Sequence, residues 1–183
     1  MLRAIFDRLI TRLETRWAYD AGYARLLNRV SPWTFLKFSV ATQMADRKAA
    51  PSAALAAAGL VGTLAEDCGP CTQISIDLAS AGGVPTPVLR AILAGDEAGM
   101  GEAAALAYRF AMAVLAHSPE ADGMREEIVR RWGERGLAAI ALTITAARVY
   151  PTLKYGLGFG KTCVKVRVGG EAAPFTRRLA ITA

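Results

Sequence analysis

The sequence has few histidines, cysteines and aromatic side chains, and each shortage narrows what the chain can do. A structural zinc site needs four ligands. The chain offers the pair Cys68 and Cys71, and only Cys163 and the single histidine, His117, remain in unsuited contexts, so we expect no metal. The net charge is +6, but the basic residues are spread along the chain without interleaved aromatics, so no nucleic-acid partner is expected.

Long uncharged apolar runs are also missing, although 53% of the residues are apolar. None reaches the roughly 18 residues that a membrane span needs. The nearest run, residues 136–147, ends at Arg148 and Pro151, so we interpret it as a buried helix. No secretory signal is evident, so the cysteines do not indicate an extracellular disulfide scaffold, and the cytoplasm is the expected compartment. The alanine-rich segments predict one compact domain of tightly packed helices that assembles as a homo-oligomer.

The spacing of apolar residues and the helix-start signals predict an all-α fold. We predict helices at about 2–17, 20–29, 32–47, 51–66, 67–81, 88–93, 102–116, 119–132 and 135–149, with Pro151 kinking or restarting the last one through Leu157. Beyond Gly160, alternating valines at 164, 166 and 168 predict an extended tail or edge strand. We therefore divide the chain into an N-terminal helical extension (1–48), a helical core (49–160) and a C-terminal tail (161–183).

The first predicted helix carries one broad apolar face and several arginines on its other faces. A membrane-surface or targeting helix has this pattern, but Asp7 and Glu14 argue against it because targeting helices are poor in acids. We favour a helix that docks on the core or on a partner subunit. Membrane contact through this helix is the less favoured alternative. The apolar residues concerned are Leu2, Ile5, Phe6, Leu9, Ile10, Leu13 and Trp17.

Redox chemistry is indicated by Cys68-Gly-Pro-Cys71. Pro70 is tolerated in the first turn of a helix, so we predict a helix that begins here with Asp67 as its N-cap. Both cysteines then lie one turn apart on the same face, where unpaired N–H groups and the helix dipole stabilise a thiolate. The pattern favours a dithiol that cycles with a disulfide over a buried structural pair.

An alanine-rich helix followed by a helix that opens with C-x-x-C resembles the alkyl hydroperoxidase D-like / carboxymuconolactone decarboxylase family over about residues 45–160. The matching segments are 56–66, 68–71, 78–84, 104–108 and 136–158. The resemblance implies a helical bundle that forms trimers or hexamers and reduces hydroperoxides or disulfides with an unknown thiol reductant. It also implies that Cys71 attacks the peroxide and that Cys68 resolves the sulfenic acid. No motif implies an organic cofactor, because no glycine-rich phosphate loop follows a strand.

The chain departs from this family at its proton relay. The family's histidine, four residues after the second cysteine, is Ser75 here, and its upstream glutamate falls at Ala56. Glu66, the nearest carboxylate, either replaces the relay or only ends a helix. Ser75 either hydrogen-bonds a thiolate or fills space.

Two other functions stay open. A lyase of the decarboxylase branch needs positioned acid and base groups, and His117, at a predicted helix end, gives it little support. A non-catalytic or redox-sensing member would keep the fold without the relay. The cysteine pKa would distinguish such a non-catalytic member from an enzyme, because a catalytic thiol needs a pKa below the ordinary value of about 8.5.

Three further residues lie around Pro151 and line either the mouth of the site or a subunit contact: Arg148, Tyr150 and Lys154.

Overall fold

A computed structural model describes residues 1–43, 45–160 and 166–173 and confirms the all-α prediction. An antiparallel hairpin, β1 (Arg167–Val168) with β2 (Glu171–Ala172), follows the helices. The helices of the described part are α1 (Leu2–Trp17), α2 (Gly22–Val30), α3 (Pro32–Ala41), α4 (Ser52–Ala65), α5 (Gly69–Ala81), α6 (Thr86–Ala94), α7 (Glu97–Met100), α8 (Glu102–Leu115) and α9 (Ala121–Gly156).

Helix α4 is the centre of the core, because its small side chains let neighbouring helices come close. It packs against α5, α8 and α9. Ala54, Ala57 and Ala58 are fully buried. A Cβ placed on Gly62 would lie 2.8 Å from the Cβ of Ala147, so glycine permits the close crossing of α4 and α9. The alanine-rich composition of this segment is therefore a packing requirement.

The first three helices pack on one another around a second, smaller apolar cluster. Residues of α5 and of the end of α9 complete that cluster, among them Ile74, Tyr150 and Leu153. The N-terminal helices are thus held against the core at the end where α5 begins. The buried members of the cluster are Ile10, Tyr19, Ala21, Tyr23 and Ala24.

The sequence predicts a break at two positions within α9, and the backbone departs from helical geometry at one of them. The break predicted between residues 132 and 135 is found at Gly133, with φ 69° and ψ 176°, a conformation open to glycine. Pro151, in contrast, keeps a helical backbone inside α9 and is buried. Pro151 and Lys154, three residues on, are both buried, and this packing offsets the one lost hydrogen bond. By length and composition α9 resembles a membrane span, but it packs along α4 and α8.

The structure corrects the predicted end of the third helix. Helix α3 ends at Ala41 rather than near Arg47, because Thr42 follows as its C-cap and its hydroxyl bonds the Phe38 and Ser39 carbonyls. In the tail, Val166 and Val168 are buried in the core. Cys163 and Val164 lie outside the described residues.

Candidate functional site

The cysteine pair lies at the tight turn between α4 and α5. Glu66 follows α4 as its C-cap, and Asp67 has a left-handed backbone with φ 50°. Cys68 is extended and is the N-cap of α5. The prediction that Asp67 caps this helix is therefore wrong, because the chain turns at Asp67 and the helix begins one residue later. Pro70 lies in the first turn, as the sequence predicts.

Cys68 and Cys71 form a disulfide, with their Cα atoms 5.3 Å apart. Cys68 is 7% exposed and Cys71 is 2% exposed. Buried Thr72 donates both its N–H, at 2.9 Å, and its hydroxyl, at 3.0 Å, to the Cys68 carbonyl. The first turn that carries both sulfurs is therefore held by two hydrogen bonds at its N-cap.

Cys71 lines a cavity of about 500 Å³, whereas Cys68 is not part of its wall. The cavity lies between the N-terminal helices on one side and α4, α5 and α9 on the other, and its volume is that of a small-molecule site. It reaches the surface at Leu13 and Leu78, which are 42% and 44% exposed. Most of the wall is apolar, with side chains that include Leu55, Leu60, Ile74, Val84 and Ala146.

Three tyrosines are among the polar residues of the wall: Tyr19, Tyr23 and Tyr150. Burial raises the pKa of Tyr19 to about 12, and burial also raises the pKa of Tyr23 and of Tyr150. All three hydroxyls therefore keep their protons at neutral pH. The Tyr150 hydroxyl donates to the hydroxyl of Thr42 at 2.5 Å. The sequence singled out Tyr150 but missed Tyr19 and Tyr23, because no local pattern links the N-terminal helices to the cysteines.

The structure brings Ser75 to the cavity but leaves Glu66 outside it. Ser75 lines the wall, and its hydroxyl donates to the Cys71 carbonyl at 2.9 Å, the usual bond of a serine to the preceding turn of its helix. Glu66 accepts a hydrogen bond from the Arg148 guanidinium at 2.6 Å. Arg148 thus forms an ion pair with the residue that ends α4.

Lys154 lies beside a second cavity of about 130 Å³, which Pro70 and Gln73 also line. It is 3% exposed, and its ammonium nitrogen lies 5.1 Å from the ring centre of Tyr19 and 5.8 Å from that of Tyr23. Burial lowers the pKa of this lysine. The aromatic faces partly replace the water it has lost.

His117 is exposed at the end of α8 and lines neither cavity. Across the described part of the chain, no three His, Cys, Asp or Glu side chains are grouped as a metal ion would need. Cys71, Ser75 and Tyr150 are the candidate site residues of the sequence analysis that line the cavity of about 500 Å³.

Comparison of the chain with protein-family models, with curated proteins and with solved structures gives no match. The resemblance to the alkyl hydroperoxidase D-like family stays a prediction that rests on the residues quoted above.

Proposed function

We propose that the chain is a thiol-dependent oxidoreductase that reduces hydroperoxides or disulfides with the Cys68–Cys71 pair. One observation carries the proposal: a disulfide-forming cysteine at the start of a helix faces a ligand-sized cavity. A purely structural disulfide needs no cavity beside one of its sulfurs. The proposal also agrees with the family resemblance of the cysteine segment.

Each turnover has one oxidation by the substrate, one condensation of the two sulfurs and one reduction by an external dithiol. The Cys71 thiolate attacks the outer oxygen of a hydroperoxide, the O–O bond breaks, and the alkoxide takes a proton and leaves as an alcohol. The Cys68 thiol then attacks the Cys71 sulfenic acid, which gives the disulfide and one water molecule. An external dithiol returns two electrons and two protons by thiol–disulfide exchange and is itself oxidised to a disulfide.

The cavity distinguishes the roles of the two sulfurs. Cys71 lines it and Cys68 does not, so a substrate held there meets Cys71 first. Both cysteines lie in the first turn of α5, where unpaired N–H groups favour a thiolate, so we assign attack to Cys71, which faces the cavity, and resolution to Cys68. The Tyr150 hydroxyl already donates to Thr42, so Tyr19 and Tyr23 are the neutral donors proposed for the departing alkoxide, a task for which the family uses the histidine absent here.

The test is peroxide consumption by the reduced protein, with dithiothreitol as the reductant. Cys71→Ser should abolish consumption above the rate of the reductant alone. Cys68→Ser, reduced and then freed of dithiothreitol, should consume one equivalent quickly and hold the sulfenic acid, which a 1,3-dione traps and mass spectrometry locates at residue 71. Cys163→Ser, the third cysteine, is the matched control and should keep full turnover.

A second variant tests the cavity itself. Ala56 lines it, and Ala56→Phe should fill part of the volume and lower turnover with a bulky hydroperoxide more than with hydrogen peroxide. Undiminished turnover in Cys71→Ser would refute the proposed chemistry. A wild-type protein that consumes no peroxide would also refute it and would assign the disulfide to redox sensing or to structure.

A further inference from the structure

One face of α1 is apolar, and the described part of the chain leaves much of it exposed. We call it the outer stripe: Leu2, Ile5, Leu9 and Leu13. The last three are 52%, 49% and 42% exposed, and each lies about one turn from the next, so they form a continuous row. Phe6 and Ile10, on the adjacent face, are buried. The broad apolar face predicted from the sequence is thus split, and only part of it docks on the protein.

The acidic residues of α1 are turned toward the rest of the protein. The Asp7 carboxylate accepts a hydrogen bond from the Asn28 side chain at 2.8 Å. Glu14 accepts from the Arg25 guanidinium and forms an ion pair with it. Both charges are therefore used in holding α1 against α2, and the sequence argument that they oppose membrane contact no longer applies.

The arginines of α1 flank the outer stripe. Arg8, Arg12 and Arg16 are exposed and follow one another at four-residue spacing, so they form a row beside the leucines. None of them forms an ion pair with another described residue. The outward surface of α1 is therefore an apolar row beside an uncompensated cationic row.

The arginine row decides which partner would cover the outer stripe, a second copy of the chain or a lipid bilayer. In a symmetric pair of chains the same patch faces itself, so two arginine rows would be brought close together, which costs electrostatic energy. An anionic bilayer instead offers phosphates to the arginines and acyl chains to the leucines. Leu13 adds a further argument, since it belongs to the stripe and also lines the cavity, so a bilayer there would meet the cavity mouth.

We propose that the outer stripe of α1 and its arginine row bind the surface of an anionic lipid bilayer, with the helix lying in the plane of the headgroups. The mouth of the cavity then faces the lipid, and apolar molecules dissolved in the bilayer reach the wall that contains Cys71. The proposal concerns binding only, so its test is independent of any turnover.

The experiment measures sedimentation of the full chain with vesicles of phosphatidylcholine alone and with vesicles containing phosphatidylglycerol. Binding should appear with the anionic vesicles and fall as salt is raised. Leu9→Asn should weaken it about five- to tenfold, and Ala4→Asn, an exposed position of α1 away from the stripe, should leave it within about twofold. Arg12→Gln should weaken binding by about fivefold, whereas Arg125→Gln on α9 should not.

Gel filtration and circular dichroism of each variant complete the test. Leu9 and Arg12 are exposed, so both variants should fold with the wild-type helix content. Failure of the wild-type chain to bind anionic vesicles would overturn the proposal, and so would binding that Leu9→Asn does not weaken. A dimer that Leu9→Asn dissociates, without any vesicle binding, would assign the stripe to a second copy of the chain and also overturn it.

Discussion

Two glycines of α4 offer a sharp test of how the core is packed. A Cβ on Gly62 would lie 2.8 Å from the Ala147 Cβ and 3.1 Å from the Ile144 carbonyl oxygen, whereas a Cβ on Gly59 would meet only Thr143, at 3.4 Å. Alanine favours a helix over glycine by up to about 1 kcal/mol. Gly59→Ala should therefore stabilise the protein by roughly 0.5–1 kcal/mol. Gly62→Ala forces the α4–α9 crossing apart, at a cost of about 1–3 kcal/mol.

The assay is urea unfolding followed by circular dichroism, with both variants and the wild type measured together. The difference between the two variants should be about 2 kcal/mol, or roughly 4–8 °C in Tm for a chain of this size. Both variants replace glycine by alanine within α4, so the gain in helix propensity is the same in each. The difference between their free energies of unfolding therefore reports only the steric cost at the α4–α9 crossing. A Gly62→Ala protein as stable as Gly59→Ala would refute the reasoning that small residues set the distance between α4 and α9.

Three further outcomes follow from the site. Burial raises the pKa of Tyr19 from 10.0 to about 12 in the folded protein, so above pH 10 the unfolded chain loses this proton before the folded one does. The free energy of unfolding should therefore fall between pH 10 and 12, and Tyr19→Phe should reduce that fall in urea titrations. Asp67 has φ 50°, so Asp67→Val should destabilise the protein by roughly 1–2 kcal/mol, while Asp67→Gly should cost less in the same assay. Because the Ser75 hydroxyl bonds a carbonyl, Ser75→Ala should change the alkylation rate of reduced Cys71 by less than about twofold.

Local signals in the sequence predict the helices well where capping is local. Ser31 and Pro32 are predicted to open a helix, and the Ser31 hydroxyl does accept the N–H of Thr34 at 3.2 Å. The short helix α7 was not predicted, although Asp96 caps it by accepting the N–H of Gly99. Its four residues carry too few apolar positions to show a period.

The site itself depends on contacts that no local pattern encodes. The C-x-x-C pair is visible in the sequence, but the cavity at Cys71 exists because α1 and α2 fold back against α5 and α9. Tyr23 and Tyr150 are far apart in sequence, yet their ring centres lie 6.4 Å apart. The two faces of α1 were also beyond sequence analysis, since apolar residues that dock and apolar residues that stay exposed look alike until their neighbours are placed.

The central claim is that Cys71 is the reactive sulfur that meets substrate in the cavity. The most direct measurement is site-resolved alkylation of the reduced protein by iodoacetamide across a pH series, with and without one equivalent of hydroperoxide added first. We expect the peroxide to protect residue 71 from alkylation in Cys68→Ser, and its thiolate to form below the ordinary thiol pKa of about 8.5. A thiol at residue 71 that titrates at or above that value and is alkylated equally with and without peroxide would contradict it.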